Sequence, residues 1–208
     1  MDTIRKYLFS TSYRLFRFLV KHIVFIYQKI FKRDKDLESI IEFGDKNLTW
    51  INNNLGTLAF NFAIPRGLDT ELFDLKFKSP LVAASFKSDE NLLDIWMKLG
   101  LGGSTYKTVM KSERSGNPRP RLQQIRLERE QCLVNALGLP GSGINLFTKE
   151  LLASSLWAYN RPLGISIGGE NVDEYVSNFN DIEKTINGNV PDLSLIHISE
   201  PTRPRLIS

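Results

Sequence analysis

Lys107 lies in STYKTVM, residues 104–110, a run whose pattern predicts a buried strand. A charge left unpaired in such surroundings is expensive, so this lysine either reaches a pocket or an anion, or sits at a strand end near solvent. Asn135 opens NALGLPGSG, residues 135–143, and its amide offers both a donor and an acceptor. Gly138, Pro140, Gly141 and Gly143 shape a loop whose backbone can approach a planar ligand, with a well-built turn as the plainer reading. The cluster LGLGG, residues 99–103, resembles a phosphate loop only superficially. It follows a predicted helix and precedes a predicted strand, the reverse of a dinucleotide-binding turn, so a helix C-cap is the better account. Cys132 is the single cysteine, and His22 and His197 are the only histidines. That excludes a disulfide framework and a zinc site built on several thiolates, no metal site is expected, and Cys132 reads as a small hydrophobe.

The elements that must carry these residues alternate. Leu72–Lys78 reads as strands or a hairpin, and LVAASF, 81–86, is a short continuous apolar run of the kind buried on both faces. Ser88 is expected to cap a helix with Leu92, Leu93, Trp96 and Leu99 at helical spacing, stopped by Gly100. Gly103–Met110 is the next strand. The stretch KSERSGNPRPR, 111–121, must be a loop, because it holds one glycine and two prolines. A polar strand pair is expected to follow, then a helix over Ile144–Asn160, a strand at Leu163–Ile167 and an amphipathic helix at Val172–Ile186. This order predicts an α/β fold with a parallel sheet, open or closing into a barrel.

A composition of 42% hydrophobic and 24% charged residues is that of a globular chain, not a disordered one. The net charge of +4 is unevenly placed: residues 1–33 carry eight basic residues against Asp2 alone. The remainder is mildly acidic, which argues against nucleic acid as a partner and for an anionic membrane surface. From Tyr7 to Phe31 the apolar run is broken by charges too often for a spanning helix. Wound as a helix, it sets Arg14, Arg17, Lys21, Gln28 and Lys32 along one stripe. Leu15, Leu19, Val20, Ile23, Ile26, Tyr27 and Ile30 crowd the other side, an interfacial pattern. The alternative is a helix packed on the protein's own body. A charged stretch, 34–47, and a helical connector through Trp50 to Phe62 lead to Pro65 and Gly67, which mark a boundary.

Taken in order, FKSPLVAAS, TYKT, ERSGNPRPR, NALGLPGSG and PLGISIGG resemble the first half of dihydroorotate dehydrogenases. The resemblance implies the first half of a (β/α)8 TIM barrel over 71–192, preceded by a membrane-surface helix, 1–33, and a connector, 34–70. It implies FMN as cofactor, dihydroorotate and orotate as substrate and product, and a place in pyrimidine biosynthesis. It further implies a membrane quinone as electron acceptor and a peripheral position on the cytoplasmic side of a membrane. Ala84 and Ser85 match the first-strand turn that contacts FMN, while Lys107 and Thr108 match a Lys-Ser pair beside flavin and substrate. Asn135 matches the asparagine that pairs with the pyrimidine, and Leu137, Gly138 and Leu139 match the stretch beside the substrate.

Subclass signals are mixed. AASFK stands where membrane-associated class 2 enzymes have AAGFDK, with Lys87 a shifted counterpart of that lysine, and GLP after Asn135 resembles soluble class 1. The helical extension resembles class 2. No catalytic base is assigned, because the family's N-x-S-S/C-P-N loop falls within residues 193–208. That segment, LSLIHISEPTRPRLIS, resembles the in-frame translation of a transposase sequencing adapter over Leu193 to Arg203, so natural sequence is expected to stop near Asp192. A fragment of this kind is expected to be inactive by itself. The rival readings are a non-catalytic membrane-surface binding module and another FMN barrel oxidoreductase, such as a dihydropyrimidine dehydrogenase.

Overall fold

The computed structural model describes residues 2–33, 35–186 and 195–198. The chain divides into two compact units, residues 1–62 with 116–138, and residues 63–115 with 139–208. Residues 116–138 therefore leave the stretch 71–192, expected to form a single barrel domain, and join the helical extension.

The first unit holds two long helices, α1 (Asp2–Ile30) and α2 (Glu38–Phe60), and an antiparallel hairpin numbered β5 (Leu122–Leu127) and β6 (Glu130–Asn135) in chain order. Helix α2 starts earlier than expected and absorbs most of the charged stretch. Glu38 and Glu42 of this helix, with Asp36 just before it, meet the arginines of the loop before β5, a long-range pairing that local composition does not signal. Along α1, Val20 and Gln28 are buried, whereas Leu15, Leu19, Ile23, Ile26 and Ile30 stay between 48% and 69% exposed. Most of the apolar side of this helix, Val20 excepted, is thus left uncovered. Among the described residues, no helix is long and apolar enough to cross a membrane.

The second unit opens with a small hairpin, β1 (Thr70–Leu72) and β2 (Leu75–Phe77), turned through Phe73 and Asp74 at positive φ. Its sheet has the order β3-β4-β7-β8, with every pairing parallel. The strands are β3 (Val82–Ala83), β4 (Gly103–Val109), β7 (Leu163–Ile167) and β8 (Leu195–Ile198). Helix α3 (Glu90–Lys98) joins β3 to β4, α4 (Ile144–Leu152) precedes β7, and α5 (Val172–Ile186) leaves it. The core lies between sheet and helices: Tyr106, Val109, Leu163, Ile165 and Ile167 meet Leu93, Met97, Phe147, Leu151 and Ile182. All five residues of β7 are buried, as a strand covered on both faces requires.

Three local expectations need correction. LVAASF forms only a two-residue strand, and Leu81, Val82 and Phe86 are 65%, 47% and 50% exposed, because among the described residues β3 is the edge of this sheet and pairs with β4 alone. Helix α3 is capped by Asp89, whose carboxylate accepts from the Leu92 N–H at 3.1 Å, one residue after Ser88. The helix expected over Ile144–Asn160 breaks at Ala153. Ser154 then caps a separate 3-10 turn, Ser155–Tyr159, by accepting from the Leu156 N–H, and its hydroxyl also meets the Tyr106 hydroxyl at 3.2 Å. A serine that can bond its neighbour's backbone competes with helix continuation. In the LGLGG cluster Gly100 has φ +101 after α3, and a Cβ at Gly102 would lie 1.9 Å from the Ser79 carbonyl oxygen. Close backbone packing accounts for these glycines.

Candidate active site

The parallel strands β4 and β7 pair Tyr106 with Ile165 and Val109 with Ile167, so the register shifts between them. Three residues on β4 span what two span on β7. Tyr106 and Val109 both face the helical core, which strict alternation would forbid; the extra residue is a bulge at Lys107–Thr108. Bulges re-aim side chains, and here two consecutive polar ones leave the core side together. The Thr108 hydroxyl meets the Ser166 hydroxyl at 2.9 Å, and Lys107 Nζ donates to the Pro140 carbonyl at 2.8 Å. Lys107 is half-buried, with its ammonium on a carbonyl.

The turn after β3 reaches the same end of the sheet. The Lys107 backbone N–H donates to the Lys87 carbonyl at 3.0 Å, which places the run Ala84–Lys87 beside the bulge. Ala84 is exposed and Ser85 half-buried. After β7 the chain continues into Gly168, where a Cβ would fall 2.4 Å from Met110 Sδ and 2.8 Å from Thr108 Cγ2. Asn178 Nδ2 holds the Gly168 carbonyl at 2.8 Å from α5. Arg114 and Gly141 exchange backbone hydrogen bonds, and Arg114 also pairs with Glu170. This crosslink holds the loop of 111–115 to the one bearing Leu139 and Pro140. Leu139 sits at φ +52, sparsely populated ground for a branched side chain.

Ala84, Ser85, Lys107, Thr108 and Leu139 therefore belong to the sheet unit. Asn135, Leu137 and Gly138 belong to the helical unit. Asn135 ends β6 opposite Leu122 and is exposed, while Leu137 accepts from the Asn117 N–H at 3.0 Å. Gly138 has φ +74, and a Cβ there would lie 2.8 Å from the Asn117 nitrogen, so both conformation and space demand glycine. Ser166 and Gly168 stand at the same strand end as Thr108, and sequence reasoning passed over both. The available signal was a serine in the otherwise apolar run LGISI, at the position alternating with the core-facing Ile165 and Ile167.

Electrostatically, two phenols of the sheet unit, Tyr106 and Tyr159, are held neutral. Burial pushes Tyr106 up to about 12, against the lowering effect of its bond to Ser154. Burial and then the Asp94 carboxylate raise Tyr159 as well, its hydroxyl donating to Asp94 at 2.6 Å. Neither lies in the bulge, so the cation at the candidate site is Lys107.

The donor set at the bulge fits a flavin. The Thr108 and Ser166 hydroxyls can share only one hydrogen between them, leaving the second proton for an outside acceptor, and the adjacent residue, Lys107, carries a cation. Ala84, Gly168 and Gly169 offer no bulk.

An open parallel sheet with helices between its strands and polar groups at one strand end defines a partial (β/α)8-type barrel, here not closed. The family described as dihydroorotate dehydrogenase matches residues 67–208, and the chain belongs to that family. It is 30% identical over 155 residues to a dihydroorotate dehydrogenase (quinone) of Gloeobacter violaceus, covering 71% of this chain and 41% of the relative. It is 32% identical over 142 residues to one of Corynebacterium diphtheriae, covering 67% and 38%. The chain thus spans about 40% of the length of these relatives. Among solved structures, DHODH in complex with ferulenol from Eimeria tenella aligns with TM-score 0.54 at 18% identity, over 69% of this chain and 41% of that one. That likeness concerns the fold. The family match runs through the adapter-like segment, and β8 pairs with β7 inside it, whereas residues 187–194 and 199–208 lie outside the described residues.

Proposed function

We propose that this chain forms the first part of an FMN-dependent dihydroorotate dehydrogenase that oxidises dihydroorotate to orotate and passes the electrons to a membrane quinone. The observation that carries the reading is the bulge in β4, which brings Lys107 and Thr108 to one strand end beside Ser166 in a chain of this family. FMN, when bound, accepts the hydride that leaves the substrate. Ala84, Ser85, Thr108 and Ser166 would hold its ring by small size and hydroxyl bonding. Lys107 would turn from the Pro140 carbonyl to a carboxylate or to developing negative charge. Asn135 would orient the pyrimidine, since an amide pairs donor and acceptor with an imide edge. Leu137, Gly138 and Leu139 would lie beside it. No residue of this chain is assigned the role of base.

The relatives' names support the quinone as acceptor. The uncovered apolar face of α1, with eight basic residues in 1–33, supports a peripheral seat on the anionic, cytoplasmic side of a membrane. The test compares dihydroorotate with dihydrouracil turnover by the complete gene product. Turnover of dihydroorotate alone is expected; preference for dihydrouracil would replace this reading with that of a dihydropyrimidine dehydrogenase.

A further inference from the structure

GNPRPR, residues 116–121, is the most distinctive run in the sequence, and its Asn117 and Arg121 hydrogen-bond the stretch Ala136–Leu137. Both arginines are engaged where the chain enters α2, by Asp36 just before the helix and by Glu38 and Glu42 within it. Arg119 Nε donates to Asp36 at 2.6 Å and its Nη1 to Glu42 at 2.9 Å. Asp36 is itself held by Gln28 of α1, whose amide exchanges two hydrogen bonds with the Asp36 backbone. Arg121 meets Glu38 in the fork geometry, with Nε 2.9 Å from Oε2 and Nη2 2.9 Å from Oε1. These two side chains are 13% and 14% exposed.

Arg121 has a second set of partners. Its Nη1 donates to the Asn117 carbonyl at 3.0 Å and lies 3.5 Å from the Leu137 carbonyl. Its own carbonyl accepts from the Ala136 N–H at 2.8 Å. Asn117 closes the circuit, with its N–H on the Leu137 carbonyl and its side-chain amide on the Ala136 carbonyl at 2.8 Å. One guanidinium thus touches the first turn of α2 on one side and the stretch Asn135–Gly138 on the other.

We infer that Arg121 is a positioning residue that couples the seating of the α1–α2 pair to the geometry of the Asn135–Gly138 stretch. The assignment of that stretch to the pyrimidine rests on the function proposed above; the coupling itself does not. Arginine suits the task because its planar fork serves a carboxylate with two N–H groups and keeps a third for a carbonyl, which an ammonium cannot reproduce in the same directions. Removing the Glu38 charge takes the carboxylate out of a fork that is 13% and 14% exposed, so the guanidinium is expected to shift and loosen its hold on its carbonyl partners. By linkage, whatever steadies α2 also steadies Leu137, and the reverse.

The test is amide hydrogen exchange on this chain. The reporters are the Ala136 N–H, bonded to the Arg121 carbonyl, and the Asn117 N–H, bonded to the Leu137 carbonyl. In Glu38→Gln both should exchange about tenfold faster, the size expected for losing a charged hydrogen bond. Arg121→Lys, which keeps the charge, should do the same. Glu42→Gln, which touches only Arg119, should leave both reporters at their wild-type rates, as should every variant the amides of β7. A purely stabilising salt bridge would instead speed the amides of α2 and of the β5–β6 ladder alike, with no selectivity. Unchanged Ala136 and Asn117 exchange in Glu38→Gln and Arg121→Lys, or that uniform acceleration, would overturn the inference. Failure of the proposed activity shows separately, as absent turnover by the wild-type gene product, and leaves the exchange result standing.

Discussion

Replacing Gly102 by alanine places a Cβ 1.9 Å from the Ser79 carbonyl oxygen, 2.8 Å from its nitrogen and 2.9 Å from its carbonyl carbon, all backbone atoms. No rotamer change relieves such contacts. Ser79 cannot retreat freely, because it is 3% exposed and its hydroxyl holds the Gly100 carbonyl at 2.9 Å. Moving residue 102 instead breaks the bond from its N–H to the Leu81 carbonyl, 2.8 Å, which starts the β3–β4 pairing. Overpacking of this kind costs about 1–3 kcal/mol and the lost hydrogen bond about 1 more. A loss of about 3 kcal/mol corresponds to a fall of roughly 6–12 °C in Tm for a chain of this size.

The same substitution at Gly44, in the interior of α2, has the opposite sign. Its Cβ meets nothing within 4 Å, so alanine gains helix propensity and stabilises by about 0.5–1 kcal/mol. Thermal and urea unfolding followed by circular dichroism measures both, with the transition of each unit read separately if they part. A Gly102→Ala variant within about 0.5 kcal/mol of wild type would refute the packing account of LGLGG and return a phosphate-binding role to that loop.

Three more outcomes are expected. Because the folded value of Tyr106, about 12, lies above its ordinary 10.0, the buried neutral phenol supports the fold below pH 10. That support is lost as pH rises from 10 through 12, by about 2–3 kcal/mol; alkaline unfolding monitored by tyrosinate absorbance checks it, and Tyr106→Phe should flatten the slope. Ile23→Asp with Ile26→Asp, both on the uncovered face of α1, should abolish co-sedimentation with anionic vesicles without shifting thermal unfolding of the sheet unit. In the complete gene product, Lys107→Met should lower kcat/KM for dihydroorotate about 100-fold while circular dichroism shows the fold retained, since the substitution keeps the length of the side chain.

What could be read from the sequence follows from how local each signal is. LGISI is apolar without interruption, and β7 is buried throughout; Val172–Ile186 repeats at helical spacing, and α5 runs between those residues. The polar pair around Glu128 and Arg129 forms the β5–β6 hairpin. The bulge was not legible, because Tyr106, Val109 and Met110 fit either strand or helix spacing until β7 supplies the register. The exposure of LVAASF depends on its edge position, a property of strand order that the run of residues does not contain. Arg121 and Glu38 lie 83 residues apart, so their pairing, and with it the union of 116–138 with the helices, was beyond any local pattern.

The most direct measurement is anaerobic addition of dihydroorotate to the purified complete gene product while its visible absorbance is followed. The account predicts that a bound flavin bleaches with dihydroorotate and not with dihydrouracil, that colour returns on adding a short-chain quinone, and that Lys107→Met slows the bleaching. A protein that holds no flavin, or whose flavin is untouched by dihydroorotate, would contradict it.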